Sequence, residues 1–105
     1  MTIKKWLISN RGEIASRIIK SAHDMGITCV AIYTEADKNT PYVREADQSF
    51  KLSDSYLNAK EILEIAKKNN VDAIHPGYGF LSENANFANN VKKAGIKWVG
   101  PSANA

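Results

Sequence analysis

The chain has 105 residues, and 14 Lys and Arg against 11 Asp and Glu leave a formal net charge of +3 at pH 7. This length accommodates one domain with a modest core, and the interspersed charges exclude the continuous basic face of a nucleic-acid-binding protein. A single cysteine, Cys29, excludes a disulfide within one chain, and no apolar run is long enough to span a membrane. We therefore expect a cytoplasmic protein that binds neither nucleic acid nor membrane.

Strand-like and helix-like segments alternate along the chain. In chain order the sequence predicts a strand at 5–9, a helix at 14–25, a strand at 27–33, a helical turn at 41–46, a weaker strand at 49–52, a helix at 58–69, a strand at 71–75, a helix at 83–94 and a strand at 96–99. Gly26 and Gly95 are expected to end helices, and Asn58 to cap one. About five strands and three main helices predict an α/β, Rossmann-like three-layer domain over 1–105, with a mostly parallel sheet.

The segment from His75 to Asn84 lies where a buried strand ends and a helix begins, which is where open α/β sheets bind ligands. Pro76 stops the strand pattern, because it lacks a backbone donor. Gly77 and Gly79 permit backbone conformations and close approaches that other residues forbid. Tyr78 then stands on a bend, a placement that suits contact better than core filling. We interpret the segment as a binding loop.

The usual nucleotide, metal and nucleophile motifs are missing from the sequence. The turn Asn10-Arg11-Gly12-Glu13 has one glycine where a dinucleotide site needs three, and it has an acid where phosphate would lie. Without that glycine loop, the position of Asp37 as a ribose partner is a weak match. No metal site is predicted, since neither histidine has a second His or Cys at ligand spacing. Cys29 is interpreted as an inert core thiol.

Residues around the end of the loop also have ordinary structural explanations. Ser82 is expected to cap the following helix, and Glu83 in its first turn is favoured by the helix dipole whether or not it has another role. His75 can equally be a catalytic group or a strand-end residue that is hydrogen-bonded to neighbouring backbone. The sequence therefore supplies no self-contained catalytic set.

The first helix carries a charged stripe opposite its apolar one. Its members are Glu13, Arg17, Lys20 and Asp24. Glu13 can pair with Arg17, and Lys20 can pair with Asp24, one helical turn apart. Spacing alone favours a solvated face, and the alternative is a polar contact between subunits.

Four motifs in chain order resemble the N-terminal domain of biotin carboxylases. They are Asn10-Arg11-Gly12-Glu13-Ile14-Ala15, Glu35-Ala36-Asp37, Ser55-Tyr56-Leu57-Asn58 and the block from His75 to Asn84. That family serves acetyl-CoA, propionyl-CoA, methylcrotonyl-CoA and pyruvate carboxylation. The resemblance covers essentially the whole chain, and it implies a small Rossmann-like domain that precedes an ATP-grasp domain.

The resemblance also implies a function. In that family ATP and bicarbonate form carboxyphosphate, and the carboxyl group passes to biotin on a carrier protein. ATP, Mg²⁺ and the catalytic bases belong to domains that follow this one, so residues 1–105 are expected to hold no catalytic residue and no cofactor and to be inactive alone. By the same resemblance, Tyr78 faces biotin and bicarbonate, and the helix bearing Arg17, Lys20 and Asp24 lies at a homodimer contact.

Two alternatives stay open at this point. The chain can be a standalone binding or oligomerisation module that docks on partner domains or dimerises through its first helix. It can also be the pre-ATP-grasp domain of another ATP-dependent ligase, a reading that the His75–Asn84 block disfavours.

Overall fold

A computed structural model describes residues 4–77, 79, 81–82 and 84–99. Over these residues the chain forms five strands and four α-helices, with a short 3₁₀ turn at Glu35–Asp37. In chain order the elements are β1 (Lys5–Ile8), α1 (Gly12–Asp24), β2 (Thr28–Tyr33), α2 (Pro41–Glu45), β3 (Gln48–Lys51), α3 (Ala59–Lys68), β4 (Ala73–His75), α4 (Ala85–Lys93) and β5 (Lys97–Trp98).

The five strands form one sheet in the order β3-β2-β1-β4-β5, and every described pairing is parallel. At the centre, Leu7 lies opposite Val30 of β2 on one side and opposite Ile74 of β4 on the other. The strand order reverses between β1 and β4, so the loops after these strands flank the position where such sheets bind ligands. The predicted α/β fold is confirmed. The sheet was expected to be mostly parallel, and all of its described pairings are parallel.

Each face of the sheet carries its own buried cluster. On one face, Ile8 and Cys29 pack with α1 and α2 through side chains such as Ile19 and Tyr42. On the other face, a second cluster joins the sheet to α3 and α4; its members include Leu7, Ile32, Leu52, Ile62, Ile74, Phe87 and Val91. Helices on both faces of a parallel sheet make the predicted three layers. No helix among the described residues is both long and apolar enough to cross a membrane.

Caps and glycines set the helix ends. Gly26 and Gly95 have φ values of +76° and +81°, which confirms them as left-handed residues after α1 and α4. The predicted Asn58 cap of α3 is also confirmed, because its side chain accepts from the backbone N–H of Glu61 at 3.1 Å. The expected start of α4 was wrong. This helix begins at Ala85, and Asn84 rather than Ser82 caps it.

Candidate functional site

The loops after β1 and β4 meet at the carboxyl edge of the sheet, and Asn10 joins them. This side chain is only 1% exposed, and its Nδ2 donates to the carbonyl of Pro76 at 2.7 Å. Its Oδ1 accepts from the backbone N–H of Arg11 at 2.8 Å. One buried amide therefore holds the backbone of the glycine loop against the start of α1.

Gly77 and Gly79 both have positive φ, at +65° and +70°, but only Gly77 is tightly packed. A Cβ at Gly77 would lie 2.8 Å from Asn10 Nδ2 and 2.9 Å from Ile14 Cγ2, whereas one at Gly79 would meet nothing within 4 Å. Gly77 is thus required both by conformation and by close approach, and Gly79 by conformation alone. Tyr78 and Glu83 lie outside the described residues, so the expectations for these two stay predictions.

His75 ends β4 directly before the glycine loop. Its Nδ1 accepts from the backbone N–H of Gly77 at 3.2 Å, and its ring lies 5.3 Å from the ring of Trp6. Burial lowers the pKa of the imidazole below its usual value. With Nδ1 accepting, the neutral ring carries its proton on Nε2, so His75 is a structural strand-end residue that can donate but not readily take up a proton.

Buried donors without partners also lie along β1. Among the described residues, Trp6 Nε1 and the hydroxyl of Ser9 are buried and have no hydrogen-bond partner. Ser9 is 1% exposed and lies between β1 and Asn10. An unpartnered buried polar atom is costly, so these two donors lower the stability of the fold.

A half-buried ion pair ties the loop after β1 to the loop after β2. Arg11 donates from Nε and Nη2 to the two carboxylate oxygens of Asp37, at 2.6 and 2.7 Å. The Asp37 side chain is 5% exposed, while Arg11 remains about half exposed at 49%. Arg11 holds the pKa of Asp37 below its usual range, and the same pairing raises the pKa of Arg11. Asp37 is therefore committed to Arg11 and is not available to a ribose. This agrees with the weak match to a ribose site in the sequence.

Two tyrosines extend this ion pair into the core. Tyr56 donates to Asp37 Oδ2 at 2.5 Å, and its hydroxyl lies 2.6 Å from that of Tyr42. Tyr42, which is 1% exposed, also lies 3.0 Å from the carbonyl of Ile32. Burial, followed by the contact with Tyr56, raises the pKa of Tyr42 above its usual value. We call Arg11, Asp37, Tyr42 and Tyr56 the Asp37 network.

The Asp37 network restrains the glycine loop through one residue. Arg11, its surface member, directly follows Asn10, and Asn10 holds Pro76. Sequence reasoning missed this network. It singled out the segments that contain Asp37 and Tyr56, but nothing in their spacing shows that side chains 19 residues apart share a hydrogen bond.

The charged stripe of α1 is a separate feature. Glu13 pairs with Arg17 at 3.1 Å, and Lys20 approaches Asp24 at 3.8 Å, so both predicted pairs are confirmed. All four side chains are at least 70% exposed. Neither pair joins the Asn10–Gly77 contact in the part of the chain that the structure describes.

A parallel sheet between two helical layers, with the tightly packed Gly77 at its point of strand reversal, defines a Rossmann-like binding domain. Residues 2–105 match the family model for the biotin carboxylase N-terminal domain. The chain belongs to this family.

Relatives support the assignment. The chain is 52% identical over 108 residues to biotin carboxylase 1 of Bacillus subtilis, with 98% of this chain and 24% of that protein covered. It is 50% identical over 105 residues to the pyruvate carboxylase of Staphylococcus aureus, with 94% of this chain and 9% of that protein covered. The chain thus spans a quarter or less of the length of these relatives.

A solved structure also supports the family assignment. The biotin carboxylase domain dimer of the Hydrogenobacter thermophilus 2-oxoglutarate carboxylase, in complex with MgADP, ADP and bicarbonate, superimposes with a TM-score of 0.94 at 41% identity. The match covers 99% of this chain and 24% of that one.

Proposed function

We propose that this chain is the N-terminal part of an enzyme that carboxylates biotin on a carrier protein, using ATP and bicarbonate. The family match and the relative crystallised with MgADP and bicarbonate support the proposal. The observation that carries it is the packing of Gly77 against Asn10, because this contact fixes the backbone directly before Tyr78 in the chain. By the family resemblance, Tyr78 then faces biotin and bicarbonate.

The described residues are better suited to line an active site than to take part in its reaction. Asp37 is committed to Arg11 and Tyr56, and His75 is held neutral with its Nδ1 already accepting. A Mg²⁺ ion needs oxygen ligands, and this edge offers no uncommitted carboxylate among the described residues that form the Asn10–Gly77 contact and the Asp37 network. We therefore assign ATP, Mg²⁺ and proton transfer to other domains of a longer enzyme.

This assignment predicts that the 105-residue chain is inactive alone. Purified chain should neither hydrolyse ATP in the presence of bicarbonate nor carboxylate free biotin. Biotin-dependent turnover by the chain would contradict the proposal. Reading the DNA beyond codon 105 provides the complementary test: an ATP-grasp sequence there supports a parent carboxylase, and a stop codon favours the standalone module.

We also propose that the charged stripe of α1 takes part in a homodimer. The Hydrogenobacter relative is described as a dimer, and the stripe is exposed and made of paired opposite charges that can exchange partners across chains. Sedimentation should show a dimer that Arg17→Glu dissociates, because the new carboxylate repels Glu13. Lys67→Glu, an equal charge reversal on α3, should leave it intact. A wild-type chain that stays monomeric at high concentration would contradict this contact.

A further inference from the structure

Three potential metal ligands from different segments converge at the amino edge of the sheet, opposite the glycine loop. They are His23 in the last turn of α1, Cys29 near the start of β2 and Asp47 just before β3. The ligand atoms of the three side chains all lie within 4.8 Å of one another. No metal site was predicted from the sequence, because local spacings alone do not bring these three residues together. They meet only when the sheet forms.

We propose that His23, Cys29 and Asp47 form a binding site for a divalent transition metal of the Zn²⁺ class. Imidazole, thiolate and carboxylate are all ligands that Zn²⁺ accepts, and three of them leave the fourth tetrahedral position for water. Nothing in the proposed carboxylase function requires this site, so the two proposals stand independently.

Coordination requires a modest rearrangement of the three ligand atoms, which now lie within 4.8 Å of one another. Metal–ligand bonds of about 2.0–2.3 Å place ligand atoms about 3.3–3.7 Å apart in a tetrahedron. His23 Nε2 and Asp47 Oδ2 are now 2.8 Å apart, in a hydrogen bond, and must open slightly to admit the ion. Both side chains are 40–45% exposed, which gives them room to move and gives the ion a route from solvent.

Cys29 supplies the buried side of the site. Its side chain is fully buried, and its backbone N–H donates to Asp47 Oδ2 at 2.7 Å, which fixes the carboxylate beside it. Burial, and then the charge of Asp47, raise the pKa of the thiol to about 11. The metal-free thiol is therefore protonated at neutral pH. Coordination forms a metal–sulfur bond and releases the S–H proton to solvent, and the divalent ion offsets the two anionic ligands.

The surroundings of the cluster carry charges of both signs. His23 borders a shallow cavity of about 500 Å³ that is lined by Asp24 and Glu45 and also by Arg17 and Lys20. The alternative for this cluster is a purely hydrogen-bonded junction, in which Asp47 links the end of α1 to β2. Metal titration separates the two, because a hydrogen-bonded junction binds no ion.

Cobalt(II) is the probe for this site. Titration of the 105-residue chain with Co²⁺ should give a thiolate-to-cobalt charge-transfer band that saturates at one ion per chain, and Zn²⁺ should abolish it by displacement. His23→Gln, at a surface position, should weaken Co²⁺ binding at least about tenfold without affecting folding. Cys29→Ser should remove the band, and Asp24→Asn, which removes a neighbouring exposed acid, should retain it.

Four other outcomes of these experiments would refute the proposed metal site. The proposal fails if the wild-type chain gives no band, or if His23→Gln binds Co²⁺ as tightly as the wild type. If the charge-transfer band persists in Cys29→Ser, a group other than the Cys29 thiolate gives rise to it. Sedimentation in the presence of Zn²⁺ should leave the association state unchanged; one ion shared by two chains would mean a bridging surface contact instead.

Discussion

Replacing Asp37 by Asn tests whether the Asp37 network holds the carboxyl edge together. The substitution keeps the size of the side chain but removes its charge, and it places an NH₂ group opposite donors. Arg11 and Tyr56 together donate three hydrogen bonds to this carboxylate, at 2.5 to 2.7 Å. At most one of the two amide positions in Asn can still accept, so at least one donor faces another donor.

The expected loss follows from the burial of the two partners. Breaking a fully buried ion pair costs about 3–5 kcal/mol, but Arg11 is half exposed and can recover its hydration. We therefore expect a decrease in the free energy of unfolding of about 2 kcal/mol at pH 7, close to the value of one hydrogen bond to a charged group. With a slope of about 1.5 kcal/mol per molar urea, the midpoint falls by about 1.3 M.

The stability that the Asp37 carboxylate contributes depends on pH in a defined direction. The pKa of Asp37 is lower in the folded chain than in the unfolded one, where Asp titrates near about 4. The stability from this carboxylate is therefore complete above the unfolded pKa, and it is lost as pH falls through the folded pKa. The difference between the wild type and Asp37→Asn should be constant from pH 7 to about 5 and should shrink below about pH 4.

Urea unfolding followed by Trp fluorescence measures both quantities. Glu35→Gln is the matched control, because this neighbouring acid makes exposed ion pairs with Lys38 and Lys51, and its loss should have a smaller effect. Tyr56→Phe should give a decrease of about 1–2 kcal/mol, since it removes the donor to Asp37, the partner of the Tyr42 hydroxyl and the acceptor for the N–H of Thr34. A decrease for Asp37→Asn no larger than that for Glu35→Gln, or one that persists unchanged at low pH, would refute the reasoning.

Two further stability predictions follow from backbone positions. Gly77→Ala should lower the free energy of unfolding by more than about 2 kcal/mol, because its Cβ would clash with Asn10, whereas Gly79→Ala should cost only the conformational penalty of about 1 kcal/mol. Equal effects in thermal unfolding would contradict the close packing. Asn84→Ala should cost about 1 kcal/mol, since it removes the acceptor for the N–H of Phe87 at 2.9 Å. A melting temperature equal to that of the wild type would show that α4 does not depend on this cap.

Local patterns predicted the elements well because their causes are local. Gly26 and Asn58 act on the backbone within a few residues, so their roles could be read from spacing, and both were confirmed. The start of α4 was missed because Ser82 and Asn84 are both good capping residues, and the chain geometry decides between them. Gly77 was correctly placed in a loop of unusual conformation, but its steric contact with Asn10, 67 positions away, could not be predicted.

The sequence by itself determined the parallel α/β class, the glycine loop and the family, because hydrophobic periodicity and contiguous motifs are properties of short segments. Only the tertiary structure decided which polar side chains from distant segments are partners. Asp37 was read as a weak ribose candidate and proved to be the centre of a buried network, and Cys29 was read as an inert thiol and proved to lie beside His23 and Asp47. Parallel strands bring the ends of distant segments to common edges, so those contacts exist only once the sheet has formed.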